Sequence, residues 1–257
     1  MADLRNRIHV RFPKISISGI KLLAVLLLLI VNANSLLLEK GLLQLDGFSS
    51  EELLAAMDAS SRFTTLVGVA SILRLLSGVA VPLFAFALAE GFVHTSDFKK
   101  YFGAVAVTAL VSEPIYDYAF YGRLFDFSQQ NPVFGVLIGL AMLGLISKLD
   151  RFDGVERGIG SILLVLCGAF WVVLLQVEYG IQTVVLAAVF YCFREKLVWK
   201  ILLGVLCSVF SPLGPMAICL LPYYSGQKKT KLPKYTYYVC YPLHLLVLGL
   251  VTRQILL

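Results

Sequence analysis

His244 is the residue whose type best suits moving a proton. It sits in Tyr241-Pro242-Leu243-His244-Leu245, inside an apolar stretch that continues to Val251. An imidazole at that depth can act as a general base near neutral pH. The plainer reading is a neutral ring hydrogen-bonded to another helix. Glu113 stands in Ser112-Glu113-Pro114. The proline frees a backbone carbonyl about one turn back and bends the helix, and such bends often line cavities. A carboxylate there can orient a histidine or take a proton; it can equally be a structural ion pair or a protonated acid. Asp117 follows at i+4 and shares that face, and Glu90 and His94 have the same spacing. The latter two read as a ligand-facing pair or as a solvated pair at a helix end. Asn32, Asn34, Gln130, Asn131, Glu178 and Tyr179 complete the polar groups in or beside apolar runs. Polar groups in such places are expensive, so each is a candidate by default, with interhelical hydrogen bonding the alternative for Asn32 and Asn34.

The elements that must position these side chains are apolar helices. Of 257 residues, 59% are hydrophobic and 15% charged, against roughly 25% charged in soluble domains. Mean hydropathy is +0.84. These values exclude a soluble globular enzyme and a disordered chain. Long unbroken apolar runs also exclude an outer-membrane barrel, whose strands alternate apolar and polar residues. The class that remains is an all-α, polytopic membrane helix bundle.

The first run reaches from Ile20 to Leu38, too long for a signal-peptide core and followed by no cleavage-type stretch. It reads as an uncleaved span behind a basic N-terminus over residues 1–18. Residues 39–63 read as an extracytoplasmic loop, in which Ser49-Ser50 before Glu51-Glu52 predicts the start of a short interfacial helix. The run from Thr64 to Phe92 is too long for one untilted span, and Pro82 is expected to kink it. Further spans are expected at 100–120, 132–147, 158–177, 180–193, 198–210, 213–224 and 235–256, giving about nine in one membrane domain, 1–257.

Net charge is +6. In a soluble protein that would suggest nucleic acid; here topology accounts for it. With the N-terminus cytoplasmic, 17 of the 22 basic residues fall on inner segments, among them Lys99, Lys100 and the run from Lys228 to Lys234. Lys40, Arg62, Arg123 and Arg253 fall outside, and Arg74 lies in or at the edge of the second span. That bias places the N-terminus inside and the C-terminus outside. The lysine run can also attract anionic lipid or a phosphate-bearing donor. The five cysteines show no CxxC pair or metal-ligand spacing and read as small buried hydrophobes. A phosphate-binding GxxxxGK[ST] loop, a GxSxG elbow and an HExxH helix are all missing, so no metal is implied and ATP hydrolysis is not expected.

Several of these stretches together resemble the TraX family. They are Pro82-Leu83-Phe84-Ala85-Phe86-Ala87-Leu88-Ala89-Glu90-Gly91-Phe92-Val93-His94-Thr95, then Tyr101 after two lysines, Ser112-Glu113 with Asp117, and Gln130-Asn131 with Phe134. Glu178-Tyr179-Gly180, Tyr224-Ser225-Gly226 and the closing Tyr241-Pro242-Leu243-His244-Leu245 follow in order, so the likeness covers roughly residues 20–250. It implies a multi-pass protein of the bacterial cytoplasmic (inner) membrane, related to transmembrane acyltransferases. The family's founding member is tied to N-terminal acetylation of conjugative pilin. The implied reaction takes an acetyl or acyl group from acyl-CoA to an amine or hydroxyl of a small peptide, pilin-like protein or other membrane-associated acceptor. His244 and Glu113 would be the catalytic pair. Asn32, Glu90, His94, Asp117, Gln130, Asn131, Glu178 and Tyr179 would bind substrate, and Lys99 and Lys100 the CoA phosphates.

The likeness breaks at two kinds of position. The family's Asp-His in the first span, about ten residues after a Lys that is kept as Lys21, is replaced by Val31-Asn32. Two family arginines fall near Gly78 and Ala104, with Arg74 one turn from the first. Asparagine cannot accept a proton at neutral pH. Either His244 with Glu113 carries the proton transfer, or the chain is a degenerate relative that binds a peptide, lipid or CoA-like ligand. A small-solute transporter is a third reading, disfavoured by the few charges at mid-depth and the lack of a visible repeat.

Overall fold

The computed structural model describes residues 14–209, 211–226 and 235–256. Most of the basic N-terminus and the lysine run from Lys228 to Lys234 therefore lie outside the described residues. Eleven α-helices run along the described chain: α1 (Ile17–Ala33), α2 (Ser50–Ala59), α3 (Ser61–Leu75), α4 (Ser77–Val93), α5 (Phe98–Tyr121), α6 (Val133–Ile146), α7 (Gly154–Leu174), α8 (Gly180–Cys192), α9 (Leu197–Ser208), α10 (Gly214–Ile218) and α11 (Thr236–Leu256). No strand occurs among the described residues, and the bundle is all-helical. Five candidate spans are long and apolar enough to cross a membrane: Ile17–Leu42, Ser61–Val93, Val133–Arg151, Gly154–Leu174 and Thr236–Leu256.

The expected run of nine crossings meets three short elements, the first being α8, whose 13 residues span about 20 Å. At 1.5 Å per residue the 12 residues of α9 span about 18 Å, and the five of α10 less than half of that. Neither covers a hydrocarbon core of about 30 Å. They form a helix–loop–helix hairpin whose tip docks beneath the start of α4. The contact explains Gly78: a Cβ there would lie 1.6 Å from the Pro212 carbonyl oxygen. No side chain fits at that position.

The long run after residue 64 does not merely bend at Pro82. It breaks at Leu76, which closes α3 and opens α4. Pro82 then falls in the second turn of α4, where its missing N–H leaves the Gly78 carbonyl without an intrahelical donor. Residues 39–63 also differ from a plain loop. The first span continues past α1 as a π-helical segment, Asn34–Leu42, a wide geometry that concentrates at functional sites. The short helix expected after Ser49 is present as α2. Ser49 accepts from the Glu52 N–H, and the Glu52 carboxylate accepts from the Ser49 N–H, a capping box.

Six helices close a ring through successive contacts, α1–α4–α8–α6–α5–α11 and back to α1. Helix α4 is buried almost all round, from Gly78 through Ala89, which suits a central position. Helices α5 and α11 approach closely where Gly249 meets Ala119; a Cβ on Gly249 would sit 2.8 Å from the Ala119 Cβ. Helix α7 packs outside the ring and exposes Ile162, Leu163, Leu166 and Phe170, as a lipid-facing helix must. The cysteines are free, but Cys167, Cys192 and Cys219 are exposed, so they are not the buried thiols expected from the sequence. Their apolar neighbourhoods face outward.

Candidate functional site

The ring borders a partly open cavity of about 230 Å³. A cavity of roughly 150 Å³ already holds benzene, so this one admits a short acyl chain or a peptide terminus. Its wall is mostly aliphatic and aromatic, contributed by Val25, Leu29, Val81, Phe84, Leu88 and Val136 among others. Into this apolar space project Lys21, Asn32, Glu178, Tyr179, Tyr241 and His244.

Helix α1 supplies Asn32 and helix α11 supplies His244, and the two meet across the cavity. The Asn32 Nδ2 lies 2.8 Å from the His244 Nε2. The other ring nitrogen, Nδ1, lies 2.9 Å from the Cys240 carbonyl oxygen one turn back. A carbonyl only accepts, so Nδ1 carries the proton, and a neutral ring then presents its lone pair at Nε2. Asn32 donates to that lone pair. If Nε2 gains a proton, the Asn32 amide must turn to offer its oxygen instead. Tyr241 packs edge-on against the imidazole, ring centroids 5.5 Å apart.

Glu178 enters from the turn between α7 and α8. Its Oε2 accepts from the Tyr116 hydroxyl at 3.0 Å. The turn is held in an unusual shape: Gln176 and Tyr179 both adopt left-handed backbone, φ 53° and 54°. Such conformations are uncommon outside glycine and cluster at functional sites. Two hydrogen bonds pin it, from the Gln130 N–H to the Gln176 carbonyl at 3.1 Å and from the Glu178 N–H to the Gln130 carbonyl at 3.0 Å. Burial raises the Glu178 carboxyl above the usual carboxylate range, opposed by hydrogen bonds from Tyr116 and Tyr179.

The remaining candidates separate into two groups that do not line the cavity. Glu113 takes hydrogen bonds from Asn131, through the backbone N–H at 3.1 Å and through the side-chain amide. Asn131 is fully buried and is satisfied further by the Ala109 carbonyl at 3.1 Å and the Val133 N–H at 2.9 Å. The direct Glu113–His244 bond expected of a catalytic pair is not made: the ring nitrogens of His244 engage Asn32 and Cys240. Asp117 accepts from the Asp126 N–H at 2.8 Å and so holds the loop after α5. Asp126 accepts from the Ser128 N–H and hydroxyl and from Arg123. The Ser128 hydrogen bonds, with Arg123 assisting, hold its carboxyl below the usual range despite its burial.

At the other end of α4, Glu90 accepts from the Tyr224 hydroxyl at 2.7 Å, and His94 Nδ1 lies 3.6 Å from Glu90 Oε2. Lys100 pairs with Asp97, the N-cap of α5, and Lys99 borders a separate groove. The i, i+4 spacing thus places Glu90 beside His94 as expected, yet outside the cavity.

Three contributors escape a reading by residue type. Tyr116 is the phenol that holds Glu178, and its hydroxyl also lies 3.4 Å from Gln129 Oε1. Gln129, rather than Gln130, supplies that side chain; Gln130 works through its backbone. Glu39 is buried and binds Arg74 in a two-pronged ion pair, Nε to Oε1 at 2.9 Å and Nη2 to Oε2 at 2.5 Å. Asn34 donates to the same Glu39 carboxylate at 2.9 Å and to the Ala70 carbonyl at 3.1 Å, the interhelical role anticipated for it. The only sequence signal for the ion pair was two opposite charges at the edges of apolar runs.

A family model described as TraX protein matches residues 16–252. No curated protein and no solved structure matches the chain.

Proposed function

The chain belongs to the TraX family, and on that premise we propose that it is an acyltransferase of the bacterial inner membrane, folded as one membrane domain. The donor is acyl-CoA, acetyl-CoA in the simplest case. The acceptor is an amine or hydroxyl of a small membrane peptide or pilin-like protein. The N-terminus is cytoplasmic, because the basic residues crowd the segments on that side. A hairpin of α9 and α10 that enters and leaves on one face keeps the C-terminus outside, since it adds no net crossing.

The observation that carries this reading is His244 Nε2 at the wall of a mostly apolar cavity, its lone pair held by the Asn32 amide, a side chain that an acceptor can displace. In the reaction the acceptor's N–H or O–H takes the place of the Asn32 amide at Nε2. The acceptor atom attacks the thioester carbonyl, a C–N or C–O bond forms, and the C–S bond breaks. The proton leaves the acceptor for Nε2 and passes from there to the departing CoA sulfur. Asn32 follows the change by turning its amide, donating to the free base and accepting from the protonated ring. Glu178 and Tyr179 border the acceptor. Lys21, which lines the cavity, draws the CoA phosphates. Glu113 acts at a distance, holding the loop that carries Asn131 and Gln130 against the cavity.

The test is transfer of labelled acetyl from acetyl-CoA to a co-reconstituted small membrane peptide. Wild type is expected to transfer, and His244→Ala to lose about a hundredfold or more. Transfer unaffected by His244→Ala contradicts the mechanism. One observation favours a second reading, a binding protein without turnover: among the described residues no carboxylate bonds Nδ1 of His244, which meets the Cys240 backbone carbonyl instead. Saturable binding of acetyl-CoA with no transfer to any acceptor would favour it.

A further inference from the structure

Away from the central cavity, a groove of about 620 Å³ opens between α4, α5 and α6. Its floor is aromatic. Phe92 and Phe98 meet edge to face with centroids 5.8 Å apart, and Phe98 and Phe102 lie at the same distance, tilted. Ala141 and Leu145 form the opposite wall. Gly144 lets the Phe98 ring settle against α6, since a Cβ there would come within 2.9 Å of it.

The mouth of this groove is basic. Lys99 is the second residue of α5, and Lys148 follows the end of α6. Both are exposed, and among the described residues neither forms an ion pair. The nearby acids are already engaged elsewhere: Asp97 with Lys100 at 3.4 Å, and Asp150 with Arg157 at 2.8 Å. The groove therefore joins an apolar trough to two uncompensated cations at the ends of adjacent helices. Helix ends are where the headgroup layer of a bilayer begins, and basic pockets between spans are suited to acidic headgroups.

We infer that this groove is a binding site for an anionic glycerophospholipid, with one acyl chain along Phe92, Phe98 and Phe102 and its phosphate between Lys99 and Lys148. A zwitterionic lipid brings the same chain and phosphate but adds an ammonium, which two lysines repel. Discrimination thus comes from net charge at the mouth, and the apolar floor contributes equally to both.

The probe is phosphatidylglycerol against phosphatidylcholine of identical chains, with retention on the purified full-length protein measured by native mass spectrometry. About tenfold or stronger preference for phosphatidylglycerol is expected, declining as salt rises. The double variant Lys99→Gln/Lys148→Gln should bring the two lipids to parity. Lys100→Gln should keep the preference, because that lysine already pairs with Asp97. Equal binding of the two lipids by wild type overturns the site, and that comparison needs no variant to fold. So does a preference that survives in the double variant, or one lost equally in Lys100→Gln. Displacement of phosphatidylglycerol by acyl-CoA at lower concentration than by free phosphatidylglycerol also overturns it, and would make the groove a donor site.

Discussion

Two buried polar regions lie side by side in this bundle and differ in what completes them. Around Glu113 and Asn131 the hydrogen-bonding groups turn inward on the chain: Asn131 donates to Ala109 and Glu113 and accepts from Val133. Around Asn32, His244 and Glu178 the same kinds of group border open space. Burying a polar group is costly unless its partners are present. Where the chain supplies the main partners, as Asn131 does for Glu113 Oε2, the group fixes a loop, although Glu113 Oε1 has no hydrogen-bond partner among the described residues. Where it leaves room beside them, a ligand can enter and exchange with them. Residue type does not separate these roles, since each region holds an amide and a carboxylate. The difference lies in whether the partner is a backbone atom that cannot move or a side chain facing a cavity.

The contrast is most easily broken at Asn131. Asn131→Ala leaves Glu113 its backbone N–H donor but removes the side-chain amide donor and the bonds to Ala109 and Val133, and is expected to cost about 3 kcal/mol. At this chain length that lowers the thermal midpoint by roughly 10 °C in a detergent-solubilised melt. A midpoint equal to wild type would place Asn131 in the open class. Next comes Asn32→Ala, which removes one hydrogen bond from His244 Nε2. Transfer should fall about tenfold, the effect of roughly 1.4 kcal/mol, with little change in melting.

Glu178→Gln sharpens the comparison in the opposite direction. The folded state raises this carboxyl's pKa, so the stability it contributes is full below the unfolded value near 4.3 and lost as pH rises through the folded pKa. A neutral amide escapes that loss. At pH 7 the variant should melt somewhat higher than wild type, and the gap should close as pH falls below about 4. A lower midpoint at pH 7 would instead put Glu178 among the closed structural groups. The smallest effect is expected at Ser49→Ala. It removes one half of the α2 capping box and should speed amide exchange at Glu52 without altering transfer.

Much of this arrangement was legible in the sequence. Apolar runs located the helices of the ring, and Ser49 with Glu52 announced α2. His244 stood out because imidazole is rare at such depth, and the cost of polar groups in or beside apolar runs marked Asn32 and Glu178 as candidates. Two kinds of feature were not legible. Helix interruptions were one: the break at Leu76 lies two residues before Gly78, where Pro212 of the α9–α10 hairpin packs, and no local pattern encodes that contact. Partner choice was equally hidden. Glu113 is held by Asn131 rather than His244, and Glu39 by Arg74, because packing brings together residues 18 and 35 positions apart. A π-helical Asn34–Leu42 has no composition signature, so Glu39 reads as the start of a loop although it is buried.

The most direct measurement compares acyl transfer and thermal midpoint in two variants, His244→Ala and Asn131→Ala, each beside wild type in the same lipid. His244→Ala is expected to lose about a hundredfold or more in transfer while melting close to wild type. Asn131→Ala is expected to melt roughly 10 °C lower. Full transfer by His244→Ala, or an unchanged midpoint for Asn131→Ala, would contradict the assignment of the open cavity to chemistry and the closed network to structure.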